Sequence, residues 1–164
     1  MTVLRTRTSS SDETLELATR VGSILGPGDV VVLVGDLGAG KTVFAKGIAR
    51  ALGVTEAVVS PTFTLIREYP ARVPLVHVDV YRLDRLQEFH DVGFDELVGG
   101  SSVTVVEWGD RVRALLPAER LDVNLAPGDH DDERIVTFEP VGNSWASRGD
   151  ELSALVAADR AEGD

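Results

Sequence analysis

The sequence predicts an α/β fold with three layers, in which helices cover both faces of a mainly parallel central sheet and a β-hairpin closes the C-terminal end. Three apolar segments typical of buried strands alternate with helical or polar segments, as in folds with a parallel sheet. These segments are residues 30–34, 75–80 and 103–106. Two further apolar segments, 121–125 and 135–138, are separated by an acidic turn, which is the pattern of a hairpin.

One domain accounts for most of the chain, because 164 residues with 43% apolar content are enough for a single core. We expect this domain over residues 1–142 and a C-terminal extension over 143–164, in which a short helix precedes a disordered end. No stretch approaches the ~20 apolar residues of a membrane span, and the N-terminus does not resemble a secretion signal. We therefore expect a cytoplasmic protein with no membrane association.

The charge and composition exclude several classes of function. The 27 acidic residues against 16 lysines and arginines give a formal charge of −11, which repels polyanions, so we do not expect this chain to bind nucleic acid directly. The chain has no cysteine, which excludes disulfides, thiolate nucleophiles and cysteine-type zinc sites. A metal site must therefore use oxygen or imidazole ligands.

The N-terminal segment predicts a strand followed by a capped helix. Residues 3–8 have the character of a strand, and Ser10 with Glu13 three residues later forms a capping-box pattern. The helix that follows has one apolar face, formed by Leu17, Ala18, Val21, Ile24 and Leu25. The sequence Gly-Pro-Gly at 26–28 then stops this helix.

The next segment has the order strand, glycine-rich loop and helix. Residues 30–34 are aliphatic throughout, typical of a strand buried on both faces. A helical pattern begins at Lys41 and ends at Gly53. Between them, residues 35–42 read Gly-Asp-Leu-Gly-Ala-Gly-Lys-Thr, which matches the phosphate-loop pattern G-x-x-x-x-G-K-[ST] in full. The fold is therefore expected to be of the P-loop NTPase type.

The residue types of this loop suit a magnesium nucleotide. Glycines allow backbone N–H groups to turn toward a phosphate, and the following helix adds its positive dipole end. Lys41, one of only two lysines in the chain, places an ammonium at the outer phosphates, and the Thr42 hydroxyl is a ligand for the Mg²⁺ that bridges them. The predicted nucleotide-binding residues are Gly35, Asp36, Leu37, Gly38, Ala39, Gly40, Lys41 and Thr42.

Two carboxylates are candidates for the further acidic group that such a Mg²⁺ site needs. Glu107 follows the predicted strand at 103–106, and Asp79 lies near the end of the strand at 75–80. In a parallel sheet both positions face the phosphate loop, although a solvated strand-end carboxylate is an equally good interpretation of either residue. His77 is interpreted as a strand residue satisfied by a hydrogen bond rather than as a metal ligand, since no second histidine lies at ligand spacing.

Four motifs together go beyond a generic nucleotide-binding protein. They are the phosphate loop at 35–42, Ser-Pro-Thr-Phe-Thr-Leu at 60–65, His-Val-Asp-Val-Tyr-Arg-Leu at 77–83 and Val-Glu-Trp at 106–108. In this order and at this spacing, from about Ser10 to Gly142, they closely resemble the bacterial TsaE family, the ATPase of the machinery that makes threonylcarbamoyladenosine in tRNA. Many unrelated proteins share the phosphate loop, so the other three motifs carry the resemblance.

The resemblance implies a Mg²⁺-dependent ATPase that works with the proteins TsaB and TsaD and meets tRNA only through that complex. We expect weak activity of the chain alone, because an isolated P-loop often lacks a group that a partner completes. TsaD performs the carbamoyl transfer, and ATP hydrolysis resets the complex between rounds. By motif, Lys41, Asp79 and Glu107 are the catalytic residues. Thr42 and Glu107 bind the metal, with Asp79 as the second acidic residue for metal or water, and Trp108 supports hydrolysis or partner contact.

Two further segments have roles that rest on the resemblance. Thr62 and Thr64 lie around a proline-stiffened turn that would sense the γ-phosphate, although hydroxyl-rich turns are also common as simple caps. Thr14, in an N-terminal Asp-Glu-Thr pattern of the family, would contribute to the adenine side of the site. Residues 109–111 and the tail beyond residue 142 fall outside the matched parts and receive no role.

Other functions stay open from the sequence. A small-molecule kinase shares this length and phosphate loop, although no compact arginine-bearing lid stands out among Arg111, Arg113 and Arg120. A GTP switch is disfavoured because the chain has no Asn-Lys-x-Asp sequence to bind guanine. The remaining alternative is a purely structural protein in which the loop is a vestige, and this alternative predicts no Mg²⁺-dependent nucleotide binding.

Overall fold

The computed structural model describes residues 3–36, 38–59, 66–80, 98, 100–108 and 113–162, with side chains up to Ala158. The strands in these residues are β1 (Leu4–Thr8), β2 (Val30–Val34), β3 (Ile66–Tyr69), β4 (Leu75–Asp79), β5 (Val103–Glu107), β6 (Arg120–Pro127) and β7 (Arg134–Val141). The helices are α1 (Ser11–Gly22), α2 (Lys41–Leu52), α3 (Asn143–Ala146) and α4 (Gly149–Glu162). Among these described helices, none has both the length and the apolar character that a membrane crossing requires.

The strands form one mixed sheet in the order β1-β7-β6-β2-β5-β4-β3. Its four central strands, β6, β2, β5 and β4, run parallel. The outer pairs β1–β7, β7–β6 and β4–β3 are antiparallel. The prediction of a mainly parallel sheet is therefore wrong for its two outer parts. The physical reason is that the C-terminal hairpin, β6 and β7, joins the central sheet, so β7 and then β1 extend it in the antiparallel direction.

Strand β3 has no counterpart among the predicted strands. Its sequence Ile-Arg-Glu-Tyr has two exposed charged residues at its centre, so it lacks the apolar run of a buried strand. The strand forms because the chain turns back over residues 70–74 and pairs in antiparallel register with β4. Tyr69, almost completely buried, is the residue that anchors this edge to the core.

A local sequence signal fixes the start of α1, whereas the helix ends before the predicted stop at residues 26–28. The Ser10 side chain accepts a hydrogen bond from the Glu13 N–H (3.1 Å), and the Glu13 carboxylate accepts one from the Ser9 N–H (2.5 Å). This is the predicted capping box, with its return bond one residue earlier than usual. Helix α1 ends at Gly22, so the apolar positions 24 and 25, expected within the helix, lie in the turn before β2.

One large core joins α1, α2 and α4 to the sheet. Leu17 of α1 and Phe44 of α2 are fully buried in it, and so are Trp145 and Leu152 from the C-terminal extension. The opposite face of the sheet carries a second cluster, made of Val76, Val78, Val80 and Val106. Most of the polar segment between β4 and β5, residues 81–97, lies outside the described part of the chain.

Helices α1 and α2 touch at glycines. A Cβ atom at Gly47 would lie 2.4 Å from the Cβ of Ala18 and 2.7 Å from the carbonyl oxygen of Leu15. Gly22 has the same relation to Ala51, at 2.7 Å. Because the obstacle at Gly47 includes the backbone of α1, a side chain there would force the helices apart. This contact therefore sets the position of α2, which begins directly after the glycine-rich loop.

We expect Gly47→Ala to destabilise the fold by about 1–3 kcal/mol, because the added methyl group separates α1 from α2. In an unobstructed helix the same change stabilises by up to about 1 kcal/mol. Gly149→Ala in α4 is the matched control, since a Cβ there meets no atom within 4 Å. Urea unfolding of both variants checks the prediction, which a Gly47→Ala midpoint at or above that of the unmodified chain would contradict.

Candidate functional site

The glycine-rich loop joins the end of β2 to the start of α2. Gly38 and Gly40 have φ angles of 81° and 101°, a region that side chains disfavour, so both positions need glycine. A Cβ at Gly35 would lie 2.5 Å from the carbonyl oxygen of Leu125, so the loop starts against the backbone of β6. Gly40 is the N-cap of α2 and brings no side chain to cap it, so the first N–H groups of the helix can serve an anion. Leu37 lies outside the described residues.

The Lys41 ammonium is held against the loop by the loop's own backbone. Its Nζ donates to the carbonyl oxygens of Gly35 (2.7 Å) and Asp36 (2.8 Å). The same atom lies 3.7 Å from the centre of the Trp108 ring, within range of a cation–π contact. Lys41 is only 5% exposed. These contacts place a positive charge beside the N-terminus of α2. An anion that enters there would contact both the ammonium and the first N–H groups of the helix.

Trp108 is positioned by a left-handed backbone turn. Its φ of 64° is the one positive value among the described non-glycine residues, and such a conformation costs roughly 1–2 kcal/mol. The Trp108 N–H donates to the carbonyl oxygen of Leu33 on β2 at 3.0 Å, which stabilises the turn. Strand β5 therefore ends at Glu107, and the indole ring that follows packs against Lys41 and the second apolar cluster.

The two predicted acidic residues lie side by side at the C-terminal ends of parallel strands. Asp79 of β4 pairs in register with Glu107 of β5, and Glu107 pairs with Leu33 of β2. The Thr42 hydroxyl donates to Oε1 of Glu107 at 3.1 Å, and Nε2 of His77 lies 2.5 Å from Oε2 of Glu107. Asp79 and Glu107 are 3% and 2% exposed, so the interpretation of either as a solvated strand-end carboxylate is wrong.

The donor groups at this edge suit a hard cation. Among the described residues, no group of three or more His, Asp or Glu side chains is arranged to hold a metal ion unaided. The Thr42 hydroxyl and the Glu107 carboxylate are nevertheless in contact, with Asp79 on the adjacent strand. Mg²⁺ in nucleotide sites takes only one or two carboxylates and completes its shell with phosphate oxygens and water. The residues present therefore fit a Mg²⁺ ion that arrives with a nucleotide.

Arg134 holds the outer side of the loop, a role that the sequence does not indicate. Its Nε donates to the carbonyl oxygen of Ala39 and its Nη2 to that of Gly38, both at 3.1 Å. Its Nη1 donates to the carbonyl oxygens of Asp131 (2.6 Å) and Glu133 (2.8 Å), in the turn before β7. Arg134 lies 95 and 96 positions from its two loop partners, so only the folded chain brings them together.

The turn between β6 and β7 is itself fixed by charge. Arg7 of β1 forms ion pairs with Glu133 and with Asp129, the latter at 3.3 Å. The hydrogen bond to Asp129 and the charge of Glu133 raise the pKa of Arg7. An open cleft of about 230 Å³ lies between this turn and the glycine-rich loop, with His130 in its wall. The turn therefore forms the outer wall of the site.

Thr14 lies within α1, where its hydroxyl makes local hydrogen bonds. Its Oγ1 lies 2.6 Å from Oγ1 of Thr8 and donates to the carbonyl oxygen of Ser10 at 3.2 Å. Its contribution to an adenine subsite stays a prediction. Thr62 and Thr64 lie outside the described residues, so their role as γ-phosphate sensors stays a prediction as well.

We expect Arg134→Gln to loosen the loop, because one amide cannot reach the carbonyl oxygens of Gly38 and Ala39 and those of the turn together. Hydrogen bonds from a charged donor contribute about 1.5–3 kcal/mol, so amide hydrogen exchange over residues 38–42 should accelerate about tenfold or more. Arg113→Gln is the matched control, since Arg113 is exposed. Equal exchange rates in this segment for the two variants would show that Arg134 does not support the loop.

Known proteins match this chain over most of its length, and the family profile described as "Threonylcarbamoyl adenosine biosynthesis protein TsaE" matches residues 8–136. The tRNA threonylcarbamoyladenosine biosynthesis protein TsaE of Bacillus subtilis (strain 168) is 46% identical over 154 residues, which cover 93% of this chain and 96% of that protein. The protein of the same name from Treponema pallidum (strain Nichols) is 47% identical over 122 residues, covering 74% and 90%. The crystal structure of Bacillus subtilis YdiB aligns with a TM-score of 0.81 at 42% identity, covering 93% of this chain and 95% of that chain. These matches confirm the resemblance found in the motifs, and the chain belongs to the TsaE family.

Proposed function

We propose that this chain is the Mg²⁺-dependent ATPase of the complex that forms threonylcarbamoyladenosine in tRNA, and that it acts with TsaB and TsaD to reset the complex between turnovers. The observation that carries the proposal is the contact between Thr42 and Glu107, next to the Lys41 ammonium at the start of α2. Family membership supports the pathway, because the relatives are named for the biosynthesis of this modified nucleoside.

The triphosphate would bind where two sources of positive potential meet. The N-terminus of α2 offers N–H groups and the positive end of its dipole, and Lys41 adds a full charge beside them. On binding, the ammonium exchanges the carbonyl oxygens of Gly35 and Asp36 for phosphate oxygens. The carbonyl oxygens are neutral acceptors, whereas phosphate oxygens carry negative charge and add a Coulomb attraction to the ammonium, so this exchange favours the bound state.

Thr42 and Glu107 would hold the metal ion, with Asp79 as the neighbouring acidic group. When bound, Mg²⁺ neutralises charge on the phosphate oxygens. The carboxylate of Asp79 can accept a hydrogen bond from the water that attacks the γ-phosphate. Lys41 stabilises the charge that develops on the phosphate oxygens in the transition state. Because the side chains of Lys41, Asp79 and Glu107 are almost completely buried, solvent screens their electrostatic interactions only weakly.

The charge of the chain supports a partner-dependent role. A net charge of −11 disfavours direct contact with tRNA, so the RNA would be bound by TsaB and TsaD rather than by this chain. Hydrolysis by the isolated chain would be slow, because P-loop ATPases often receive a catalytic group from a partner. The proposed role places the protein in the cytoplasm.

Reconstitution with TsaB and TsaD from the same organism tests the function directly. We expect repeated rounds of tRNA modification to require this chain and ATP, whereas a first round on preassembled TsaB and TsaD proceeds without it. An unchanged number of rounds in its absence would overturn the resetting role. The alternative of a small-molecule kinase would be favoured by robust phosphorylation of any free hydroxylated metabolite in a coupled assay.

We expect Lys41→Ala to weaken ATP binding at least tenfold, because the charge-assisted hydrogen bonds to phosphate contribute about 1.5–3 kcal/mol. Lys46→Ala is the matched control, since Lys46 is the other lysine of the chain, lies in the same helix and is exposed. Isothermal titration calorimetry with ATP and Mg²⁺ measures both affinities. Equal weakening by the two substitutions would indicate a general charge effect and would contradict the loop site.

We expect Glu107→Gln and Asp79→Asn to differ in what they impair. Glu107→Gln should remove most of the Mg²⁺ dependence of nucleotide binding, because the Thr42–Glu107 pair loses its charge. Asp79→Asn should leave binding largely intact and slow hydrolysis within the complex by roughly 100-fold, the usual effect of removing one preorganised polar group. Calorimetry and a phosphate-release assay separate these effects. Normal hydrolysis by either variant in the assembled complex would show that its assigned role is wrong.

A further inference from the structure

His77 is a buried polar residue in the middle of β4, and the proposed function assigns it no role. It is fully buried, and its Nε2 lies 2.5 Å from Oε2 of Glu107, which is itself 2% exposed. Both side chains belong to the same face of the sheet, because His77 pairs in register with Val105, two residues before Glu107 on β5. The contact is therefore built into the pairing of two adjacent core strands.

The chemistry of the pair fixes the direction of the hydrogen bond. In its proposed role as a metal ligand Glu107 is an ionised carboxylate, which can only accept, so in that role Nε2 of His77 donates to Oε2 of Glu107. The other oxygen, Oε1, accepts from the Thr42 hydroxyl at 3.1 Å. Within the described part of the chain, Nδ1 of His77 has no hydrogen-bond partner. The described polar contact of this imidazole is therefore the one with Glu107.

We propose that His77 is a positioning residue, which holds the Glu107 carboxylate so that Oε1 faces Thr42 and serves the metal ion. This inference rests on the proposed function, because it concerns the same Mg²⁺-nucleotide site. With Oε2 committed to the imidazole, the carboxylate cannot rotate freely, and Oε1 is the oxygen left at the junction with α2. Hydrogen-bonding partners behind a metal-binding carboxylate commonly contribute 10–100-fold to metal affinity.

A purely structural role for His77 predicts different behaviour. In that case the imidazole would only satisfy a buried carboxylate, and its loss would lower the stability of the fold without altering how nucleotide binding responds to Mg²⁺. The positioning role predicts a specific loss of Mg²⁺ response. The concentration of Mg²⁺ that half-saturates nucleotide binding therefore distinguishes the two roles.

Two amide substitutions at position 77 test whether the hydrogen bond to Glu107 itself is required. The side-chain amide of His77→Gln can place an N–H near the position of Nε2 and still reach Glu107, whereas that of His77→Asn is too short and lies near the position of Nδ1. Both replace the imidazole by a neutral amide of similar polarity. We expect His77→Asn to raise the half-saturating Mg²⁺ concentration about 10–100-fold, and His77→Gln to stay within about threefold of the unmodified chain.

Thr104→Val serves as the control for disturbing a buried polar group. Thr104 is fully buried on β5, and its hydroxyl has no hydrogen-bond partner among the described residues. The substitution keeps the shape of the side chain and leaves the Glu107 contacts in place. We expect its Mg²⁺ response to equal that of the unmodified chain. Circular dichroism of each full-length variant confirms that it is folded before titration.

The measurement is calorimetric binding of ATP to the full chain across a series of Mg²⁺ concentrations, with no need for turnover. A raised requirement in His77→Asn, near-normal behaviour in His77→Gln, and no further effect of His77→Asn in a Glu107→Gln background would support the proposal. A normal requirement in folded His77→Asn would overturn it, as would a requirement raised tenfold or more in His77→Gln. If the unmodified chain shows no Mg²⁺-dependent ATP binding, the proposed function fails and this inference fails with it. A different result refutes this inference and leaves the proposed function intact. In that result the unmodified chain binds ATP with Mg²⁺, Glu107→Gln loses the Mg²⁺ response, and His77→Asn keeps the half-saturating Mg²⁺ concentration of the unmodified chain.

Discussion

The parallel pairing of β2, β5 and β4 is the constraint on which the rest of the site depends. Parallel strands end at the same edge of a sheet, and the register sets Glu107 beside Leu33 on one side and Asp79 on the other. The glycine-rich loop leaves β2 at this edge and turns directly into α2. A shift of one residue in either pairing would turn the carboxylates to the opposite face, away from Thr42. Strand register is therefore as important to the site as the loop itself.

The site concentrates polar groups in a place where burial is costly. Lys41, His77, Asp79 and Glu107 are each 5% exposed or less, and buried charges are tolerated only when they are paired and hydrogen-bonded. The described contacts meet that requirement for Lys41 through loop carbonyls and an indole ring, and for Glu107 through a hydroxyl and an imidazole. The contacts that stabilise the buried side chains of Lys41 and Glu107 also hold these side chains beside the loop and Thr42.

The loop is supported by parts of the chain far from the motif. Helix α2 is seated on α1 through Gly47, the start of the loop lies against the backbone of β6 at Gly35, and Arg134 binds its outer carbonyls. Two of these three supports come from the C-terminal hairpin. The hairpin reaches the loop because β6 is the neighbour of β2 in the central sheet. The antiparallel outer strands are thus part of the support of the site.

The sequence by itself determined the loop, its strand and helix, the capping box of α1, the C-terminal hairpin, and the identity of Lys41, Thr42, Asp79 and Glu107 as the residues to consider. These follow from local signals, since propensity, periodicity and motif spacing act over a few residues. The tertiary structure alone decided that the sheet is mixed, that Ile66–Tyr69 forms a strand, that Arg134 holds the loop and that His77 contacts Glu107. Those features arise from contacts between residues 30 to 96 positions apart or from pairing with a neighbouring strand, and no local pattern in a single sequence encodes them.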